Sequence, residues 1–172
     1  MLETWMLALA TLVRDGVEAA GAPLSPSARA VLLTLRHWQP VTVSELAGIL
    51  DVRQPTMTSV VNGLVADGLV DRGTKQGRTA PLTLTPQGEA EAQRLQDAQR
   101  HAVATLLGPL DLAERAALVP LLRKVLYGAT TSRAHARTTC RFCDHGACRG
   151  ANCPTGSRAT EIDGPLQGDR LP

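Results

Sequence analysis

Residues 42–72 read TVSELAGILDVRQPTMTSVVNGLVADGLVDR, and the fold turns on this stretch. Thr42 and Glu45 stand at the head of an apolar-periodic run. At that spacing the threonine hydroxyl and the glutamate carboxylate can each satisfy a free backbone N–H. A short helix through Leu46, Ala47, Ile49 and Leu50 follows from that cap. After a turn at Asp51-Val52-Arg53-Gln54, Pro55 suits a first helical position, where its missing N–H has no intrahelical partner to lose. Met57, Val60, Val61, Leu64 and Val65 then form the buried stripe of a second helix, which Gly68 terminates. Two helices joined by so short a turn make a helix-turn-helix.

The flanks continue the pattern. Upstream, Leu2, Trp5, Met6, Leu9, Leu12, Val13 and Val17 recur at helical spacing, so residues 2–19 read as an amphipathic helix ended by Gly21 and Pro23. Ser25-Pro26 opens another through Val31, Leu32, Leu35 and Trp38, closed by Pro40. Downstream, residues 69–72 and 80–84 are short strand candidates around the polar segment Gly73–Thr79, a hairpin with a basic tip. Pro81 cannot donate to a ladder, so its strand is expected at an edge or with Pro81 turned away from its partner. Thr85-Pro86 starts a long helix towards Gly108-Pro109. Asp111-x2-Glu114 caps a last one through Leu126, with a kink expected at Pro120. Beyond Gly128 the periodicity vanishes.

Composition bounds the functional classes. The chain has 172 residues, 44% hydrophobic and 20% charged, which suits one domain plus a tail. Aromatics make up 2%, so the core must be built from Leu, Val and Ala, and this favours helices. Up to Gly128, basic and acidic residues are equal at twelve each, so the formal +2 resides in the tail. Nucleic-acid binding therefore cannot rest on bulk charge, only on local arrangement. No apolar stretch is long enough to span a bilayer. The run Trp5–Val13 follows Glu3 rather than a basic residue and lacks a small-residue cleavage site, so it does not read as a secretory signal; a cytoplasmic protein with reduced thiols is expected. No Ser/His/Asp set, phosphate loop or convergent carboxylate pair is present, so an enzyme is not expected.

The order helix, helix, short helix, longer helix, hairpin, long helix, helix resembles the MarR family of winged helix-turn-helix transcription regulators. The resemblance covers roughly residues 1–127. It is most specific from Val43-Ser44-Glu45-Leu46-Ala47, through Gln54–Thr58 and Gly63–Arg72, to Leu82-Thr83-Leu84-Thr85-Pro86-Gln87-Gly88. It implies a mainly α fold with long N- and C-terminal dimerisation helices and a small β-hairpin wing. It also implies a homodimer, joined by the first and last two helices, with one recognition helix per subunit in a major groove and each wing in the adjacent minor groove. Small aromatic or phenolic effectors are common in the family, but this chain has few aromatics to stack on a ring. Two departures stand out. The family's wing usually carries Asp-x-Arg, where this chain has Gln76-Gly77-Arg78, so Arg78 lacks its orienting acid. Ser59 and Gly63 occupy positions where many members have arginine or a larger polar residue, which should weaken sequence-independent binding and its salt dependence.

The residues themselves supply a mechanism for DNA contact. With Met57, Val60, Val61 and Leu64 facing the core, Arg53, Gln54, Pro55, Thr56, Thr58, Ser59 and Asn62 lie at the N-terminal or solvent side, able to reach base edges and phosphates. Pro55 near the helix start leaves N–H groups and the positive dipole end available to a phosphate. Arg72, Lys75 and Arg78 on the wing suit backbone or minor-groove contacts. The expected function is a sequence-specific, double-stranded-DNA-binding transcriptional regulator, a repressor acting as a homodimer. The alternatives are a thiol- or metal-responsive sensor and a winged helix serving as a protein-interaction module.

All four cysteines fall in Cys140-x2-Cys143-x4-Cys148-x4-Cys153. This is the spacing of a zinc knuckle, with cysteine at the third position where the retroviral type has histidine; a structural zinc ion is the expected cofactor. The bacterial ferredoxin run differs in its spacing and shares only Cys153-Pro154, which disfavours an iron–sulfur cluster, and redox thiols without metal are the other alternative. Gly146 and Gly150 permit the turns, and Arg137, Arg141, Arg149 and Arg158 are expected to offset the thiolate charge. His145 reads as a solvent-exposed loop residue and His135 as linker. The expected organisation is a winged-helix domain over 1–128, with the helix-turn-helix and wing at 42–86, a metal-binding extension at 129–158, and a disordered tail at 159–172.

Overall fold

The structure, a computed structural model, describes residues 1–75, 77, 79–148 and 150–165. Its elements run α1 (Leu2–Ala20), α2 (Pro26–Trp38), α3 (Val43–Leu50), α4 (Gln54–Ala66), β1 (Val70–Arg72), β2 (Leu82–Leu84), α5 (Pro86–Leu106), α6 (Leu112–Ala129), α7 (Arg133–Thr139), a 3-10 turn (Gly150–Asn152) and α8 (Pro154–Asp163). The architecture is mainly α with one two-stranded antiparallel sheet, as expected. Among the described residues, no helix is long and apolar enough to cross a membrane.

Local chemistry sets the helix starts. Ser25 Oγ accepts from Ala28 N, and Thr85 Oγ1 accepts from Gly88 N at 2.9 Å. Both halves of the Thr42/Glu45 box form, Glu45 N to Thr42 Oγ1 at 3.2 Å and Thr42 N to Glu45 Oε2 at 2.7 Å, and Asp111 and Glu114 repeat it at α6. Each cap satisfies N–H groups that the helix itself leaves free.

The core lies where α2, α3, α4, α5 and the sheet meet. Leu32, Leu33, Leu35, Leu46, Met57, Val61, Leu64, Leu82 and Leu95 are all buried there. Each such side chain contributes about 1.5–3 kcal/mol by leaving water. Two charged residues of α2 tie neighbouring helices to this core. Arg29, 2% exposed, donates from Nη1 to Val17 O at 2.6 Å and Glu18 O at 3.0 Å, so a cation meets the negative end of α1. Gly21 makes room, since a Cβ there would fall 2.0 Å from the guanidinium. Arg36 bridges α2 to α5 through Glu89 at 2.5 Å and through Gln93.

The sheet pairs Val70 with Leu84, Asp71 with Thr83 and Arg72 with Leu82. On its other side Val41 bridges Leu82, donating to Leu82 O at 3.3 Å and accepting from Leu82 N at 2.8 Å. The strand thus begins after Pro81 and is paired on both flanks at Leu82, rather than placing Pro81 within an edge strand. Pro81 still contributes its carbonyl, which accepts from Gly73 N at 2.8 Å. The wing is pinned to α5 by a close approach: a Cβ on Gly88 would lie 1.9 Å from Leu69 O, so only glycine fits.

Pro120 lies inside α6, which continues to Ala129. Beyond it the chain departs from the expected loose extension. Helix α7 packs on α3, and α8 packs on α6 and α7. Residues 159–163 belong to α8, with Ala159 1% exposed, so the expectation of disorder fails there; 166–172 lie outside the described residues.

Candidate nucleic-acid interface

Helix α3 ends at Asp51 in the left-handed conformation (φ 52°, ψ 48°), with its N–H bonded to Ala47 O. Aspartate tolerates that region better than most residues, and the sharp reversal sets the angle at which α4 leaves. Met57, Val61 and Leu64 then anchor α4 to the core. The opposite face carries Arg53, Gln54, Pro55, Thr56, Thr58, Ser59 and Asn62, every one exposed. Arg53, at the N-cap, makes no side-chain capping bond, so the first N–H groups of α4 have no side-chain acceptor there. Thr58 Oγ1 donates to Gln54 O at 2.9 Å, which commits its proton and leaves its lone pairs to accept.

The wing and α4 are joined by a bond that sequence reading missed. Arg72 Nη2 on β1 donates to the Asn62 carboxamide oxygen on α4. Both residues were predicted contacts, and the fold brings them together. Arg72 is thus oriented by an amide from the recognition helix. Ten residues separate the two, and only knowledge of the α4–β1 packing could have shown it. Lys75 is exposed on the wing, away from any ion pair among the described residues. Arg78 and Gln76 lie outside the described residues, as does Arg149.

The cysteines form a second constellation, docked against the first domain. Thr138 Oγ1 on α7 donates to Ile49 O at 2.8 Å, meeting a carbonyl at the end of α3. Phe142 packs on the core, and the His145 ring sits 4.5 Å from that of Trp38 and 5.1 Å from that of His37. His145 is therefore half-buried against α2 rather than solvent-exposed. His135 is part of α7, accepting from Thr131 N at 3.3 Å through Nδ1, rather than linker.

The arginines are placed differently from expectation. Arg158 pairs with Glu161 at 3.2 Å and lies over the Tyr127 ring, while Arg141 binds Thr138 O and stacks on Phe142. Arg137 is exposed. Among the described residues, Arg123 of α6 is a basic residue whose charge acts on the cluster, felt at Cys148. It was not singled out because its sequence distance hides the α6–α8 packing.

No cysteine is in a disulfide. The Cys140 and Cys153 sulfurs share Thr155 Oγ1 at 3.0 and 3.3 Å, and Cys153 Sγ accepts from Gly156 N at 3.2 Å at the start of α8. Hydrogen bonding to Cys143 raises the Cys140 thiol to about 11 and lowers Cys143. The bond with Cys140 pushes Cys153 up to about 12, and burial raises Cys148 to about 11. Among the described residues, no three His, Cys, Asp or Glu side chains stand as a closed metal-ligand set; the sulfurs form a linked run.

An exposed polar helix held to a paired wing defines a winged helix-turn-helix protein. Residues 24–76 match the family model described as MarR family. Its fold is similar to the MarR family protein Rv2887 of Mycobacterium tuberculosis, at 27% identity over 72% of this chain and 92% of that one, with a TM-score of 0.60. A structure of the same protein in complex with DNA matches at 26% identity, covering 73% of this chain and 97% of that one, with a TM-score of 0.60. A MarR family protein from Bacillus stearothermophilus shares the fold at 21% identity over 76% of this chain and 94% of that one, with a TM-score of 0.68. Comparison of the sequence with curated proteins found no match.

Proposed function

We propose that this protein is a sequence-specific, double-stranded-DNA-binding transcriptional regulator, acting as a homodimeric repressor. The observation that carries the reading is the Arg72–Asn62 bond, which joins the wing to an exposed recognition face on α4. Helix α4 enters the major groove. Arg53, Gln54 and Thr56 meet phosphate at its N-terminus, and Thr58, Ser59 and Asn62 face base edges. Lys75 and Arg78 follow the backbone or the adjacent minor groove. The similar protein solved with DNA supports this assignment. Regulators of this class are not enzymes, and the site offers binding groups rather than a reacting centre.

The dimer follows from unburied apolar surface. Neither α1 nor α6 buries a single residue, although Trp5 is 64%, Leu7 72%, Val119 63% and Val125 61% exposed. An isolated chain does not keep such stripes in water without a partner. A second copy, meeting along α1 and α6, covers them and sets the two α4 helices to read a two-fold operator.

A small-molecule effector is a further element of the proposal. The similar Mycobacterium tuberculosis protein has been solved with salicylic acid and with p-aminosalicylic acid. Here an open pocket of about 440 Å³ lies between the α1–α2 connection, the end of α4 and α5, lined by Leu24, Leu69, Ala90 and Arg94. Arg94 already pairs with Glu91 at 2.6 Å, so an acidic ligand must compete with that carboxylate.

The test is titration of the full chain with the palindromic duplex upstream of its own reading frame. Binding that exceeds that to a scrambled duplex and weakens with salt is expected. Absence of binding at low salt, with the protein folded, favours the protein-interaction module instead.

A further inference from the structure

We propose that Cys140, Cys143, Cys148 and Cys153 bind one zinc-class ion, and that this ion fastens the C-terminal segment onto the helix-turn-helix body. The inference does not depend on DNA binding. It begins from the sulfurs of Cys140 and Cys153, which meet on one hydroxyl, with Cys143 and Cys148 on the loops beside them; among the described residues the four do not yet stand as a closed ligand set. Cys140 is in side-chain hydrogen-bonding range of Cys143 and of Cys153, and Cys148 is in range of Cys153. Cys140 and Cys153 also share the Thr155 hydroxyl, 3% exposed at residue level.

The backbone brings the ends of each loop together. Cys143 N donates to Cys140 O at 2.8 Å, Cys148 N to Asp144 O at 3.0 Å, and Cys153 N to Gly150 O at 3.0 Å. Gly150 supplies the left-handed turn at φ 55° that this last loop requires. Cys153 sits at the N-cap of α8, where the helix dipole and the Gly156 N–H both favour a thiolate. Asp144 Oδ1 closes the middle loop by accepting from Gly146 N and Ala147 N. Turning the exposed Cys143 and the half-exposed Cys148 inward completes the set.

The segment also needs a staple. Between Cys140 and Cys153, no described residue but Cys140 itself is buried, so the loops hold no core of their own. Short, core-poor segments gain order from metal binding, because the binding free energy is folding free energy. The chemistry balances simply. Four S–H bonds break, four protons leave to solvent, and four metal–sulfur bonds form, giving a centre of net charge about −2 with a divalent ion. No redox change occurs. Arg123, whose charge reaches Cys148, offsets part of that charge.

Fastening follows from what the loops touch. His145, between the second and third cysteines, lies on Trp38 and donates from Nε2 to Cys140 O at 3.1 Å, and Asp144 pairs with Arg100 of α5 at 3.3 Å. Ordering the sulfurs orders these contacts. Loss of the ion frees His145 from Trp38.

The full chain, purified under reducing conditions, is analysed for metal and thiol reactivity. A Trp5→Phe variant leaves Trp38 as the sole tryptophan and reports docking by its emission. One zinc per chain is expected, with cobalt substitution giving the absorption of a tetrahedral thiolate site. Chelation should shift Trp38 emission, and added zinc should restore it. Cys148→Ser should lower zinc affinity by at least tenfold, with helical circular dichroism confirming that the body is folded. If Cys148→Ser does not fold, zinc titration of the chelated wild type gives the same stoichiometry and emission readout. Four freely reactive thiols with no zinc uptake overturn the site, as does iron with sulfide in its place. Zinc uptake without any change at Trp38 overturns the fastening.

Discussion

Arg72 on the wing strand donates to the Asn62 side-chain oxygen on α4, so the two parts of the interface share one hydrogen-bonded joint. A guanidinium held this way has fewer rotamers to lose on meeting DNA. Asn62→Ala frees Arg72 and, under the proposed reading, also removes a base-facing amide. Arg72→Ala removes the proposed backbone or minor-groove contact of the wing. Each substitution is expected to weaken operator binding roughly tenfold, in line with about 1–3 kcal/mol for such contacts. Because the pair acts as a unit, the double variant should lose less than the sum, as read in a double-mutant cycle of operator affinity.

Beyond Arg53 the exposed α4 face carries no charge, which leaves few cations to release counterions. In the proposed interface Arg53, Arg72, Lys75 and Arg78 supply the basic groups, and each phosphate contact adds about 0.9 to the slope of log K against log salt. Lys75→Ala should weaken binding to operator and scrambled duplex alike and reduce that slope by roughly one. Fluorescence anisotropy across a salt series measures both. A change confined to the operator would instead assign Lys75 to base readout.

Two glycines of the same domain should behave oppositely. Gly88→Ala drives a methyl into Leu69 O, where backbone, not a side chain, blocks the way. A loss of about 1–3 kcal/mol or more is expected in denaturant unfolding. Gly63 is exposed in mid-helix with nothing within 4 Å of a Cβ, so Gly63→Ala should stabilise α4 by up to about 1 kcal/mol. Equal effects from the two would contradict the packing described.

The exposed stripes on α1 and α6 predict an oligomeric state. Sedimentation velocity should give a dimer for the wild type, and Leu9→Lys with Val125→Lys should shift it to monomer or to aggregate. A monomeric wild type would remove the proposed covering of these helices.

The docking of α7 on α3 has its own measure. Thr138→Val keeps the shape but leaves Ile49 O without this donor. A loss of about 1 kcal/mol is expected, with faster amide exchange across α7 than across α4.

Residues 2 to 126 were legible because their signals are local. The caps at Ser25, Thr42, Thr85 and Asp111, and the apolar stripes between them, placed α1 through α6 to within a few residues. What escaped depends on contacts distant in sequence. Val41 pairs over a single residue, too short to alternate. Arg29 reads as a solvent residue until α1 is seen to end against it. Helices α7 and α8 have little apolar periodicity and are held by Thr138 on Ile49, Tyr127 on Glu161 and the buried Ala136 and Ala159. The polar face of α4 could be read from the helix period, but the Arg72–Asn62 joint could not.

The most direct test compares the full chain with its Arg72→Ala variant on the upstream palindrome and a scrambled duplex, at several salt concentrations. For the wild type, binding to the palindrome at physiological salt should be at least about 10³-fold tighter than to the scrambled duplex. Its affinity should fall linearly on the log–log salt plot, and Arg72→Ala should bind more weakly with a shallower slope. Equal affinity for the two duplexes, or an unchanged Arg72→Ala variant, would contradict a recognition surface built on α4 and the wing.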